Sequence, residues 1–222
     1  MKIIAHRGFS ADYPENTLLA FEKALQAGAD GIETDLQLSR DGEVILFHDD
    51  KLKNITGAEG TVQTLSLAEL KALDAGRGER IPTLDELLRL TNAQATLILE
   101  IKYDPSTYTR LCELVSDKIA QLTEWVEVSC FEDRVLEYMH KLDPQIKLHK
   151  LIDEASVLQD KGFEKRYHYA SYLDIDIALK ALALEKGIIQ RHKVIFWTVQ
   201  TEDISTEKEA GLYGIMKNDP TP

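Results

Sequence analysis

The chain has 222 residues, 44% hydrophobic and 29% charged, which is enough apolar material for a buried core and excludes disordered, collagenous and disulfide-miniprotein classes. Twenty-six basic residues against thirty-eight acidic ones give a net charge of −12, a field that repels nucleic acid and anionic lipid surfaces. A phosphate-bearing substrate would therefore have to be met by a locally positive pocket or a metal ion.

The first predicted strand, 2–5, runs into His6-Arg7-Gly8, and an amphipathic stretch with Leu18, Phe21 and Leu25 on one face follows it. The second strand, 31–38, carries Glu33 and Asp35 two apart, so the pleat throws both carboxylates to one face. Like charges that close call for a cation or a shared proton, and oxygen ligands suit Mg2+ or Ca2+; a solvent-exposed strand face is the plainer alternative. A third run, 43–47, leads into His48-Asp49.

Over 49–80 the rhythm breaks into a Gly-bearing stretch and a short helix, which reads as an insertion over the C-terminal face, where barrel active sites lie. Capping boxes pair Ser66 with Glu69 and Thr83 with Glu86, the second opening a helix with Leu84, Leu87 and Leu88 on its apolar face. Strand 96–101 then delivers Glu100, with Lys102 two residues on. A barrel aims Glu100 at the same mouth as Glu33 and Asp35, making three carboxylates for one metal and leaving Lys102 as a point charge for an anion. A Glu–Lys pair that merely satisfies itself is the alternative.

Further strands are predicted at 126–130, 146–150, 168–173, 194–199 and 213–216. About eight strands alternating with helices, with no linker or repeat, favour a closed (β/α)8 TIM barrel over a doubly wound open sheet, with residues 1–222 as a single domain. Cys112 and Cys130 lack CxxC spacing, and no signal peptide or membrane-length apolar run is present, so the expectation is a cytoplasmic protein without a membrane anchor.

His6 and His48 each end a predicted strand, and imidazole exchanges protons near neutrality, while the Arg7 fork matches phosphate geometry. His140, His149, His168 and His192 lack that placement and read as structural or solvated. No GxSxG, Walker, GxGxxG or HExxH motif occurs, which leaves acid–base chemistry on a metal-bound anion.

Read in order, His6-Arg7-Gly8, Pro14-Glu15-Asn16-Thr17, Glu33-Thr34-Asp35, His48-Asp49, Glu100-Ile101-Lys102 and Phe196-Trp197-Thr198-Val199 resemble the glycerophosphodiester phosphodiesterase family over nearly the whole chain. The stretch 65–76 followed by Ile81-Pro82-Thr83-Leu84 is similar to the family's segment at that place. The resemblance implies a (β/α)8 barrel, one divalent cation (Mg2+ or Ca2+, with Mn2+ also accepted), and hydrolysis of a small glycerophosphodiester to sn-glycerol 3-phosphate and an alcohol. Position by position it implies that Glu33, Asp35 and Glu100 hold the metal and that His6 and His48 are base and acid in an order left open. Arg7 and Lys102 would hold the phosphate.

Trp197 is expected to form an apolar wall for the glycerol, a core aromatic being the alternative, and Phe131 to line the same mouth. The chain departs from the family's pattern at Gln200, where Asn is common, at Cys130, where Ser is common, and in the closing 213–220 stretch. Ending at Pro222, it is expected to have a shortened or missing last barrel helix. Two rival readings stand beside this one: a lysophospholipase D or phospholipase C-like lipid phosphodiesterase, marked by an exposed apolar rim at the pocket, and a catalytically silent phosphodiester-binding barrel. Neither the preferred alcohol nor the oligomeric state is legible.

Overall fold

The computed structural model describes residues 1–200 and 210–221. Its strands are β1 (Lys2–His6), β2 (Gly31–Leu38), β3 (Val44–Leu46), β4 (Thr96–Ile101), β5 (Val126–Cys130), β6 (Leu148–Ile152), β7 (Tyr172–Asp176), β8 (Val194–Trp197) and β9 (Gly214–Lys217). β1 pairs in parallel with β2 on one side and β9 on the other, and the remaining neighbours run β2-β4-β5-β6-β7-β8-β9, so eight parallel strands close into a barrel.

β3 differs from the sequence expectation, because it returns antiparallel on β2, with Leu36 opposite Leu46 and Leu38 opposite Val44. β1 covers β2 only at Gly31–Glu33, and β3 takes up the edge further along the same strand. The excursion therefore begins at residue 39 rather than 49, and the 43–47 run belongs to it instead of to the barrel wall. It has its own apolar cluster, built by Ile45, Phe47, Leu52, Val62, Leu70, Ala75 and Ile81 around α2 (Lys53–Thr56) and α3 (Leu67–Lys71), after α1 (Leu18–Gln26) has packed on the barrel.

Two other strands start later than predicted. A turn in which Asp143 accepts from the backbone N–H groups of Gln145 and Ile146 delays β6, and a turn closed by Ala170 N–H on Tyr167 O delays β7.

Among the described residues the outer ring comprises α1, α4 (Leu84–Thr91), α5 (Tyr108–Ile119), α6 (Asp133–Leu142), α7 (Ala155–Gln159), α8 (Phe163–Arg166) and α9 (Lys180–Glu185). Both predicted capping boxes form, Ser66 with Glu69 at α3 and Thr83 with Glu86 at α4, each worth about 1 kcal/mol. Gly8 lets the loop after β1 lie on α1: its φ is 80°, and a Cβ there would stand 2.8 Å from the Ala20 carbonyl carbon. Among the described residues no helix is long and apolar enough to cross a membrane.

The barrel interior is divided. One side is apolar, with Ile4, Ile98, Ile195 and Met216 in contact. The other carries a buried charged chain, in which His149, fully enclosed, lies 2.8 Å from Glu127 Oε2 through Nε2 and 3.0 Å from both Asp174 carboxylate oxygens through Nδ1. Burial alone would lower the His149 pKa, but Asp174 and Glu127 overcome it and push it up to about 9. The expectation of a structural histidine holds, with a charge attached to it. Cys112 and Cys130 are free, buried thiols, pushed up to about 12 by burial.

Candidate active site and metal centre

The ends of β1, β2 and β4 converge at the C-terminal mouth, in a register that sets His6 beside Glu33 and Asp35 beside Glu100. One cleft is lined by His6, Arg7, Glu33, His48, Glu100, Lys102, Phe131 and Trp197. The ninth predicted residue, Asp35, lies beneath it with no solvent exposure. His48 reaches the cleft from the excursion, directly after the β3 hairpin.

The three carboxylates are buried, and each offers an oxygen within 4.8 Å of the others. Burial, followed by the charges of Asp35 and Glu100, raises the Glu33 pKa well above its usual value, so Glu33 resists ionisation among these neighbours. Burial would raise Asp35 too, but Lys102 and Arg7 outweigh it and hold Asp35 low. Glu100 is raised by burial, with Lys102 offsetting part of the effect. Three close oxygen-donor side chains fit a hard divalent cation.

Lys102 is not the free point charge anticipated from the sequence. Its Nζ lies 2.6 Å from Glu100 Oε1 and 2.9 Å from Asp35 Oδ1, because two buried carboxylates draw the nearest ammonium between them. Arg7 donates from Nη1 to Glu15 Oε1 at 3.0 Å, and its Nε stands 3.4 Å from Asp35 Oδ2. Both cations line the cleft while balancing the acids behind it.

Both histidines donate from Nδ1, His6 to a neutral amide and His48 to a carboxylate. The Asn218 side-chain oxygen accepts from His6 Nδ1 at 2.7 Å, which leaves Nε2 without a proton, 4.0 Å from Glu33 Oε2. Burial, then the Arg7 charge, pushes the His6 pKa down to about 4, so the ring is neutral at pH 7. His48 Nδ1 instead donates to Asp49 Oδ1 at 2.8 Å, and Asn54 Nδ2 donates to the other Asp49 oxygen at 2.8 Å. Hydrogen bonds from His48 and then Asn54 hold the Asp49 carboxyl below its usual range.

Phe131 and Trp197 meet edge to face, ring centroids 5.7 Å apart, and Trp197 Nε1 is fixed by a 3.0 Å bond to Asp174 O. Asn16, Asp49 and Asn218 complete the arrangement and were missed as site residues. Asn16 sits inside the quoted Pro-Glu-Asn-Thr motif and Asp49 directly follows His48, so both had a local signal, whereas Asn218, which acts across 212 residues, lies in the closing 213–220 stretch that reads only as a departure from the family's pattern.

The model described as the glycerophosphoryl diester phosphodiesterase family matches residues 6–221. A glycerophosphodiester phosphodiesterase from Caldanaerobacter subterraneus subsp. tengcongensis is 34% identical over 239 residues, covering 98% of this chain and 94% of its own. The structure of an Oleispira antarctica phosphodiesterase in complex with the product sn-glycerol-3-phosphate superposes with a TM-score of 0.87 at 27% identity, covering 100% of this chain and 94% of that one. A glycerophosphodiester phosphodiesterase from Thermotoga maritima gives 0.84 at 26% identity, with 99% and 95% covered.

Proposed function

The chain belongs to the glycerophosphodiester phosphodiesterase family and is a phosphoric diester hydrolase, and on that premise we propose that it hydrolyses glycerophosphodiesters to sn-glycerol 3-phosphate and an alcohol, with His6 as base and His48 as acid. The observation that carries this reading is a pair of histidines facing one cleft beside three clustered carboxylates, His6 backed through Nδ1 by the neutral Asn218 amide and His48 through Nδ1 by the Asp49 carboxylate.

His6 Nε2, unprotonated because Nδ1 is committed to Asn218, takes the proton from the attacking hydroxyl, either water or the glycerol 2-hydroxyl. The new P–O bond forms as the bond to the alcohol oxygen breaks, and His48 Nε2 delivers its proton to that departing oxygen. Where the 2-hydroxyl attacks, a second step follows: His48 takes a proton from water, the water oxygen bonds to phosphorus of the cyclic phosphate, the bond from phosphorus to the glycerol 2-oxygen breaks, and His6 returns its proton to that oxygen. Asp49 holds the His48 ring and places a carboxylate behind it. Glu33, Asp35 and Glu100 would hold a divalent cation, Mg2+, Ca2+ or Mn2+, which supplies charge neutralisation at the phosphate oxygens. Arg7 and Lys102 add positive charge on the same side of the cleft, and Phe131 with Trp197 walls it for the glycerol carbons.

The lipid-directed alternative calls for an exposed apolar rim. Among the described residues the exposed large hydrophobic side chains are Met1, before β1, and Leu142, at the end of α6, both at the opposite end of the barrel from the cleft. The free thiols accord with a cytoplasmic location, and the proposed substrate class gives the protein a part in glycerol and lipid metabolism.

The test is release of glycerol 3-phosphate from glycerophosphocholine and glycerophosphoethanolamine, with Mg2+ or Ca2+ and with EDTA. Turnover that EDTA abolishes supports the reading. Folded, metal-loaded protein that releases no product from either diester overturns it.

A further inference from the structure

The loop that leads from β1 into α1 holds two residues in the left-handed backbone region that side chains disfavour, Arg7 at φ 56° and Asn16 at φ 55°. They are tied together by Asn16 N–H donating to Arg7 O at 3.1 Å. Each sends one hydrogen bond to a carboxylate of β2: Arg7 N–H to Glu33 Oε2 at 3.1 Å, and Asn16 Nδ2 to Asp35 Oδ2 at 2.8 Å.

The Asn16 amide is fixed from its other end as well. Its Oδ1 accepts from Thr34 Oγ1 at 2.7 Å and from Asp35 N–H at 3.4 Å, so a flipped amide would turn its own donors against two others. Asn16 is 3% exposed and Thr34 is fully buried, which locks the group in place. A left-handed non-glycine residue persists only where its surroundings hold it, and here they hold it against one carboxylate oxygen.

We propose that Asn16 is a positioning residue of the metal centre: it engages Asp35 Oδ2, leaves Oδ1 on the side where Lys102 is shared with Glu100, and so sets divalent-cation affinity without touching the ion. The proposal rests on the assignment of Glu33, Asp35 and Glu100 as metal ligands. Oδ1 is the oxygen that meets Lys102 Nζ at 2.9 Å, on the side where a cation is neutralised by these acids. A neutral amide suits the task, since it orients the carboxylate and leaves its charge for the ion. Arg7 N–H acts on Glu33 in the same way, so one strained loop aligns two ligands at once.

The test uses Asn16→Gly in the full chain, because glycine adopts φ near 55° without strain and the change removes only the amide. Mn2+ titrated calorimetrically into the metal-free protein is expected to bind about 10- to 100-fold more weakly than to wild type. Hydrolysis of glycerophosphocholine is expected to recover toward the wild-type kcat as Mn2+ is raised, with KM for the diester unchanged. Thr34→Val, which frees the amide to rotate and leaves the main chain alone, is expected to weaken Mn2+ binding in the same direction by less, and it decides the matter if Asn16→Gly does not fold. Unchanged Mn2+ affinity in the folded variant, beside wild type that binds, overturns the proposal alone. Wild type that binds no Mn2+ overturns the ligand assignment, and the proposal with it.

Discussion

His48 donates a hydrogen bond from Nδ1 to the Asp49 carboxylate 2.8 Å away, which leaves Nε2 as the nitrogen available to the cleft. Replacing Asp49 by Asn keeps the shape and removes the charge behind the ring. Asp49→Asn is expected to lower kcat on glycerophosphocholine by about 10- to 100-fold, and His48→Ala by about 10³-fold, with thermal midpoints near wild type. Steady-state kinetics at saturating metal checks both, and an Asp49→Asn enzyme within twofold of wild type would remove Asp49 from the acid's support.

Metal binding to Glu33, Asp35 and Glu100 should appear as stability as well as activity. An ion that binds only the folded chain adds about 2.7 kcal/mol at a hundredfold excess over its Kd. Thermal unfolding is therefore expected to shift upward as Mg2+ or Ca2+ is added and to return on adding EDTA. In Glu33→Gln most of that shift should vanish, and an equal shift in both proteins would place the ion elsewhere.

His149 makes stability depend on pH in the alkaline direction. Its folded-state pKa is raised from 6.5 to about 9, so its contribution is full below pH 6.5 and is lost as pH rises through about 9. Over that window the unfolded chain binds fewer protons than the folded one, and stability should fall by about 3 kcal/mol. His149→Gln should flatten this slope and cost about 3 to 5 kcal/mol at pH 6.5, where Glu127 and Asp174 lose their shared cation. Urea unfolding at pH 6.5 and 9.5 measures both, and equal slopes in the two proteins would show that His149 is neutral.

Gly8→Ala combines a φ of 80° with a Cβ driven to 2.8 Å from the Ala20 backbone. A loss of about 1 to 3 kcal/mol is expected. Because Gly8 follows His6 and Arg7, kcat/KM should fall as well. Calorimetric unfolding and kinetics on the same preparation test this, and a variant as stable as wild type would mean that the loop can move off α1.

The barrel and the convergence of the nine candidate residues on one mouth were legible because each lies at or near a strand end or inside a short motif with fixed spacing. β3 was not, since Val44, Ile45 and Leu46 are buried on both faces and look alike whether the strand runs with or against its neighbour. The charge on His149 was hidden for a related reason: β6 is buried throughout, and only pairing with β5 and β7 brings Glu127 and Asp174 to the ring. The pairing of Lys102 with Asp35 also waits on the fold, because Asp35 lies on another strand, while its bond to Glu100 is within reach of the two-residue spacing alone.

β1 is held between β2 and β9, and His6 is oriented by Asn218, 212 residues further along. During synthesis the first strand therefore emerges long before its second neighbour exists. Until β9 follows, the barrel has an open seam beside β1, and His6 lacks the partner that keeps its Nε2 free of a proton. Nascent chains shorter than this therefore lack both the closed wall and the His6–Asn218 bond, which arrive together with closure of the seam.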